Sequence, residues 1–304
     1  MDNEYRFGFV SIVGRPNTGK STLLNALLGQ KIAAISPKAQ TTRRRQLGIL
    51  TSDTYQMVFV DTPGIHNPRH KLGKFLNQEA QEALEGVDVV LFLVDVSVEP
   101  TDEDQWLASR LGRLSHRAPL LLACNKIDLV PAPALTARLA AYQALVPPGT
   151  QVLPISATNG AGLEALQMAL LAHLPPGKPQ YEAEQVTDFY ERDIAAELIR
   201  EACLSNLRDE VPHGVAVRID EFTERGEAGA YIAATIFVER ESQKGILIGR
   251  GGEMLKRIGT AARTQIEDMS GRKVYLELRA KVLKEWRKDE KAMQRFGYTL
   301  KKKR

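Results

Sequence analysis

The first half of the chain is punctuated by short, continuous apolar runs: Phe7–Val13, Met57–Val60, Val87–Val94, Pro119–Cys124 and Gln151–Ile155. Continuous rather than alternating runs are what strands covered on both faces require. Segments with helical spacing lie between them, among them Thr22–Leu28, which stops at Gly29, and Leu163–Leu171. Strands alternating with helices predict a mostly parallel sheet with helices on both faces, an α/β domain over residues 1–174. The pattern breaks at Leu174-Pro175-Pro176-Gly177-Lys178-Pro179, and residues 175–186 read as a semi-stiff linker.

Beyond it, residues 187–304 follow another plan. Asp188–Leu207 has Ile194, Leu198, Ala202 and Leu204 on one side and predicts an amphipathic helix. Gly214–Phe222 alternates through Val215, Val217 and Ile219 and predicts a strand; Ala230–Val238 predicts a second. Then come a short helix or turn at Glu241–Ile248, a helix at Glu253–Met269, a strand at Lys273–Leu278 and a basic helix at Lys281–Gly297.

Chemistry enters at the ends of the apolar runs. Gly14-Arg15-Pro16-Asn17-Thr18-Gly19-Lys20-Ser21 has the phosphate-loop spacing between a strand and a helix. Gly14 and Gly19 let the backbone around Asn17 and Thr18 wrap, so that successive N–H groups converge on a phosphate. The helix N-terminus adds its positive end. Lys20 is expected to reach the β- and γ-oxygens, and the Ser21 hydroxyl to ligate Mg²⁺. Asp61 ends the second apolar run and would hold the same ion through water. Gly64 follows with an N–H available to the γ-phosphate.

The next two motifs suit a guanine ring. Asn125-Lys126-Ile127-Asp128 follows the fourth run, at the strand end where open α/β sheets bind ligands. Asp128 only accepts hydrogen bonds, and guanine offers N1–H and an exocyclic NH₂ where adenine offers a bare lone pair. Such a site, if buried, rejects the wrong base by roughly 10⁴-fold. Asn125 is placed for the other edge of the ring, the Lys126 stem for its face, and the Ala157 N–H of Ser156-Ala157 for guanine O6.

Between the phosphate loop and Asp61 runs a polar, basic stretch, residues 36–45, with Thr41 and Thr42. A threonine here completes a Mg²⁺ shell only when a γ-phosphate is present, which makes the stretch a switch; Thr42 is preferred and Thr41 is the alternative. At position 65 the Ras-like pattern has a glutamine that orients the attacking water, whereas this chain has Ile65. Either another group holds the water or intrinsic hydrolysis is slow. Asn17 offers one route, by helping to hold a monovalent cation such as K⁺ beside the phosphates; equally, it suits a tight turn.

Composition narrows the classes. No run of 18 or more apolar residues appears, and the N-terminus lacks a signal peptide's form. Cys124 and Cys203, the only cysteines, read as buried thiols in a reducing, cytoplasmic setting. His66 and His70 have no third ligand nearby and read as loop residues. The formal charge of +4 is uneven: residues 281–304 carry ten basic and three acidic side chains, a net of +7, leaving −3 for the rest.

Gly249-Arg250-Gly251-Gly252 sits between two of the predicted helices, in the order helix–strand–strand–helix–helix–strand. That is the α+β topology of a type II KH domain. Its G-x-x-G loop lets single-stranded RNA press on the backbone, with Arg250 and Lys256 supplying charge. Trp286 and Phe296 could stack on bases, but Val282, Leu283, Trp286 and Met293 also form a packing stripe, the favoured reading.

Together, G-R-P-N-T-G-K-S, K-A-Q-T-T-R at 38–43, D-T-P-G-I, N-K-I-D and I-G-R-G-G resemble the bacterial Era GTPases over nearly the whole chain. The resemblance implies a GTP-dependent factor in small-subunit ribosome assembly; the motifs themselves predict hydrolysis of GTP to GDP with Mg²⁺, and a monomer is expected. It implies binding near the 3′ end of 16S rRNA and a peripheral contact at the inner face of the cell membrane. It also implies that the hydrophobic residue at 65 is normal for the group. From the residues themselves, two other readings stay open: an RNA-binding scaffold whose nucleotide is structural, and a GTPase switch acting on a protein partner.

Overall fold

The computed structural model describes residues 4–35, 42–63, 71–113, 118–226 and 229–299, with the side chains of 77, 80 and 81 left aside. Thr41, Gly64, Ile65, His66 and His70 lie outside the described residues. The chain divides into two compact units. The first comprises 1–31, 42–67 and 76–188; the second comprises 32–41, 68–75 and 189–304.

In the first unit β1 (Arg6–Val13) leads into α1 (Lys20–Leu28), and a hairpin follows from β2 (Gln46–Thr51) to β3 (Tyr55–Asp61). Then come α2 (Lys71–Glu82), whose first turn belongs to the second unit, β4 (Val89–Asp95), α3 (Asp102–Gly112) and β5 (Leu120–Asn125). The unit ends with α4 (Ala132–Gln143), β6 (Gln151–Pro154) and α5 (Leu163–His173). The sheet order is β2-β3-β1-β4-β5-β6. All pairs are parallel except β2 with β3. Strand β2 is absent from the sequence reading, because its outer end is half-exposed and its apolar run is short.

Residues 175–186 are not a free linker. Gly177 N–H donates to Tyr5 O (2.9 Å), Gln180 and Tyr181 N–H donate to Gln56 Oε1 (2.8 and 3.0 Å), and Ile49 N–H donates to Val186 O (2.8 Å). Since β2 is an edge strand, this stretch satisfies backbone groups that would otherwise stand open.

In the second unit α6 (Glu191–Asn206), β7 (Ala216–Glu224), β8 (Ala230–Val238), α7 (Glu241–Ile248), α8 (Glu253–Ser270) and β9 (Val274–Val282) follow in the type II KH order. Strand β8 is central, antiparallel to β7 and parallel to β9. Ile194, Leu198, Ile232, Ile236, Ile258 and Ile266 meet in one core. The expected basic helix over 281–297 does not form. Lys281 and Val282 continue β9 opposite Phe237 and Val238, and only α9 (Glu290–Gln294) is helical afterwards, apart from one tight turn at Trp286–Lys288. Trp286 is fully buried, donates Nε1–H to Gly214 O (2.8 Å) and packs against Phe296 and Tyr298. Burying that aromatic cluster outweighs helix propensity, so Trp286 is packing and not a base platform.

Candidate nucleotide site and RNA groove

Strands β1, β3 and β5, with the segment after β6, deliver their C-terminal ends to one edge of the sheet, and the sequence-predicted pocket residues gather there. Gly19 caps α1 with φ +99°, and a Cβ there would meet Asn125 Nδ2 at 2.4 Å. Only glycine therefore lets the loop approach the base motif this closely.

Lys20 is buried, and its ammonium donates to the loop carbonyls of Gly14 (3.0 Å) and Arg15 (2.9 Å). Burial lowers its pKa to about 8, against the pull of Asp61 and with a push from Arg15. Two of its three donors thus hold the loop's shape, and a third is left for a phosphate oxygen. Three hydroxyl and carboxylate oxygens converge beside it. Ser21 Oγ lies 2.9 Å from Thr42 Oγ1 and donates to Asp61 Oδ2 (3.0 Å), which Thr42 Oγ1 also reaches at 3.0 Å. Burial raises the Asp61 pKa, opposed by Lys20, both hydroxyls and the Thr62 amide. Asp61 Oδ1 is buried and has no hydrogen-bond partner. Hydroxyls and a carboxylate with an unsatisfied oxygen are the hard donors that Mg²⁺ selects.

Asn125 is a staple. Its Nδ2 donates to Thr18 O (2.8 Å), and its Oδ1 accepts from the Ala157 N–H (2.9 Å). The Ala157 amide, expected to face guanine O6, is thus paired within the protein. Ser156 is buried, and its Oγ accepts from the Asn159 N–H (3.3 Å), which fixes the turn. Lys126, at φ +69°, donates Nζ–H to Asn17 O (2.9 Å) and to Asp95 Oδ2 (2.5 Å). Asp128 is exposed, contrary to the expected burial, so its discrimination needs the ring itself to cover it. Asn17 is exposed at φ +67°, a conformation Asn tolerates well, which supplies the turn reason for it.

Sequence reasoning missed the members that tie these loops together. Arg15 Nε donates to the buried Asp104 (3.1 Å), and its Nη2 lies 3.9 Å from Asp95. Asp104 also closes a capping box with Thr101 at the start of α3. Burial pushes the Asp95 carboxyl up, but Lys126 and Ser97 outweigh it and hold the pKa below the ordinary value. Two signals were there to read. Asp95 ends an apolar strand as Asp61 does, and T-D-E-D opens a helix. Both thiols are buried, with pKa pushed up to about 12, and are inert. Among the described residues no group of three or more His, Cys, Asp or Glu could hold a metal.

In the second unit, Gly249 (φ +75°), Gly251 (φ +59°) and Gly252 (φ +86°) turn the chain between α7 and α8. A Cβ on Gly249 would meet Met254 Cβ at 2.7 Å. Arg250 and Lys256 are exposed. A groove of about 370 Å³ runs from this loop, lined by Gly252, Lys256, Gly259, Arg263, Leu276 and Leu278. Apolar floor and cationic rim suit bases and phosphates respectively. No described helix is long and apolar enough to cross a membrane.

Comparisons with known proteins agree with this geometry. Residues 9–126 match the family model described as 50S ribosome-binding GTPase, and residues 210–287 match the KH domain model. GTPase Era of Geotalea uraniireducens is 48% identical over 297 residues, 98% of this chain and 99% of its own. GTPase Era of Geobacter metallireducens is 47% identical over 299 residues, with 98% and 99% covered. Among solved structures, Era in complex with MgGDPNP and nucleotides 1506–1542 of 16S ribosomal RNA matches with a TM-score of 0.91. It is 39% identical, with 97% of this chain and 100% of that one covered. A variant of Aquifex aeolicus Era bound to GDP and AlF₄⁻ matches with a TM-score of 0.90 at 40% identity, with 97% and 100% covered.

Proposed function

This chain belongs to the Era family of GTPases, and on that premise we propose that it hydrolyses GTP to control the binding of its KH domain to single-stranded RNA at the 3′ end of 16S rRNA during small-subunit assembly. One observation carries the reading: the phosphate loop, the Ser21–Thr42–Asp61 oxygens and the base loop are hydrogen-bonded into a single cluster, in a chain that also presents a G-x-x-G groove. The GTPase family model is named for the 50S subunit, whereas the solved relative holds 16S RNA. The near full-length similarity to that relative favours the second.

Ser21, Thr42 and Asp61 would hold Mg²⁺, which when bound neutralises charge on the β- and γ-phosphates. Lys20 keeps a donor for those oxygens, and the phosphate-loop N–H groups, of which Pro16 has none, would meet them. Asp128 reads the guanine N1–H and NH₂, the Lys126 stem lies along the ring, and Asn125 fixes both loops around it. Ile65 gives the attacking water no hydrogen bond, so turnover is expected to be slow without a partner. Just before residues 36–45, the Ile35 N–H donates to Glu201 Oε2 of α6 (2.8 Å), a bond within the second unit. We place the protein in the cytoplasm, with a peripheral membrane contact that co-sedimentation with vesicles tests.

Single-turnover hydrolysis and RNA affinity decide the matter. RNA carrying the 16S 3′ sequence should speed GTP cleavage, and the GTP and GDP forms should differ in RNA affinity. Equal rates and equal affinities would leave a scaffold with structural nucleotide.

A further inference from the structure

The larger core of the second unit lies on one face of its sheet. Ile232, Ala234, Ile236 and Val238 of β8 point into the core, with Leu276 and Leu278 of β9 packed against it. Side chains alternate along a strand, so Tyr231, Tyr275, Glu277 and Arg279 stand on the opposite face. One half of that face is closed, where Phe237 packs against Phe296 (5.2 Å between centroids). The other half is open. There the Tyr231 and Tyr275 rings stack at 5.7 Å and 20°, and Tyr275 is 68% exposed. The Arg225 guanidinium lies 5.4 Å over the Tyr231 ring, and Arg225 forms no ion pair among the described residues. Two carboxylates stand near and both are engaged: Glu277 accepts from Tyr231 Oη (2.8 Å) and pairs with Arg279 (2.7 Å), and Glu221 accepts from Thr223 Oγ1 (3.1 Å).

A pair of outward tyrosines under a guanidinium with no ion pair among the described residues adds nothing to the core, and it is how single-stranded nucleic acid is stacked without base-specific reading. Its position is continuous with the groove. Leu276 and Leu278 line the groove from one face of β9, and Tyr275 and Glu277 alternate with them on the other. Because β9 is an edge strand, an RNA strand leaving the groove meets no further strand before it reaches Tyr275. The G-x-x-G groove itself takes only about four nucleotides.

We propose that the open half of this sheet is a second single-stranded RNA contact, with Tyr275 and Tyr231 stacking the bases that run beyond the groove and Arg225 meeting their phosphate. The inference rests on the RNA-binding reading above.

The test compares full-length protein on two unstructured RNAs, one of about four nucleotides that fills the groove and one of about twelve that outruns it. Tyr275→Ala should weaken the longer RNA about tenfold and leave the shorter one unchanged, since one base–aromatic stack is lost. Tyr275→Phe should bind both like the wild type, and Arg225→Ala should lose several-fold on the longer RNA alone. Gly251→Asp should lose both. Wild-type affinity of Tyr275→Ala for the longer RNA, with Gly251→Asp still defective, overturns the second contact alone and leaves the face to a protein partner. A wild type that binds neither RNA overturns the RNA-binding reading together with this one. Equal unfolding midpoints for the Tyr275 variants exclude a folding explanation.

Discussion

The two binding surfaces of this chain are built on opposite plans. Around the phosphate loop the key side chains are tied to other parts of the protein. Lys20 holds two loop carbonyls, Asn125 spans from Thr18 to Ala157, Lys126 joins Asn17 to Asp95, and Arg15 joins the loop to Asp104. Around the G-x-x-G loop the reverse holds. Arg250, Gly251 and Lys256 are exposed, and the loop's shape is set by glycine dihedrals rather than by side-chain bonds. The closed plan suits a ligand of fixed outline that must be told apart from close analogues. The open plan suits a flexible polymer read mainly by shape. A substitution in the mesh should therefore propagate into binding and stability together, while one at the open loop should stay local.

The largest effect expected is in base choice. Asp128→Asn replaces an acceptor with a side chain that also donates, so xanthine, which carries an acceptor where guanine carries NH₂, becomes the better ligand. The ratio of xanthosine to guanosine nucleotide affinity should move by on the order of 10⁴-fold. Competition against labelled GDP reads this directly, and an unchanged preference removes Asp128 from the base site.

Next comes stability, where the two plans can be set against each other. Arg15→Ala leaves the fully buried Asp104 without its cation, which costs about 3 kcal/mol in urea unfolding of the nucleotide-free protein. Gly251→Asp should cost less, about 1 kcal/mol, because nothing lies within 4 Å of a Cβ built there and only the φ of +59° strains the new residue. Equal losses in both variants would erase the contrast between mesh and open loop.

What could be read from the sequence divides along the same line. Glycine loops and N-K-x-D are contiguous, so their local geometry follows from residue type and spacing, and the order of elements identified both units. The mesh joins residues far apart in the chain, as Arg15 and Asp104 are, and no local rule brings an arginine in one loop to an aspartate at a helix start. Periodicity misled at the C-terminus. Val282, Leu283, Trp286 and Met293 are spaced like a helix stripe, yet the first is a half-buried strand residue and Trp286 is buried in a tight turn. The Asp128 carboxylate looked buried because its chemistry demands it; the fold supplies only the position.

Lys20 sharpens the comparison through pH. Its folded pKa of about 8 lies below the ordinary 10.5. Between those values the unfolded chain holds more protons, so this group's contribution to stability rises with pH across the window, and below it the burial penalty is full. Binding runs the other way. A triphosphate favours the ammonium, so above pH 8 each unit should weaken GTP about tenfold until the bound-state pKa is reached. Titration calorimetry at several pH values measures the GTP affinity, and one that is flat above pH 8 contradicts the buried ammonium.

The smallest effect expected concerns Asn17, where the two plans meet. Its φ of +67° already accounts for an asparagine in the turn, and its carbonyl is engaged by Lys126, but its side chain is exposed at the phosphate end. An amide oxygen there can share a monovalent cation with the β- and γ-phosphates, placing positive charge where it develops during cleavage. Replacing K⁺ by Na⁺ should then slow single-turnover hydrolysis several-fold, because the smaller ion cannot span the same oxygens. Asn17→Asp keeps the oxygen and the turn and should retain the K⁺ preference; Asn17→Gly keeps only the turn and should lose it. Equal rates in the two salts for the wild type would assign Asn17 to backbone geometry alone, and the mesh would then contain every polar side chain that acts at the phosphates.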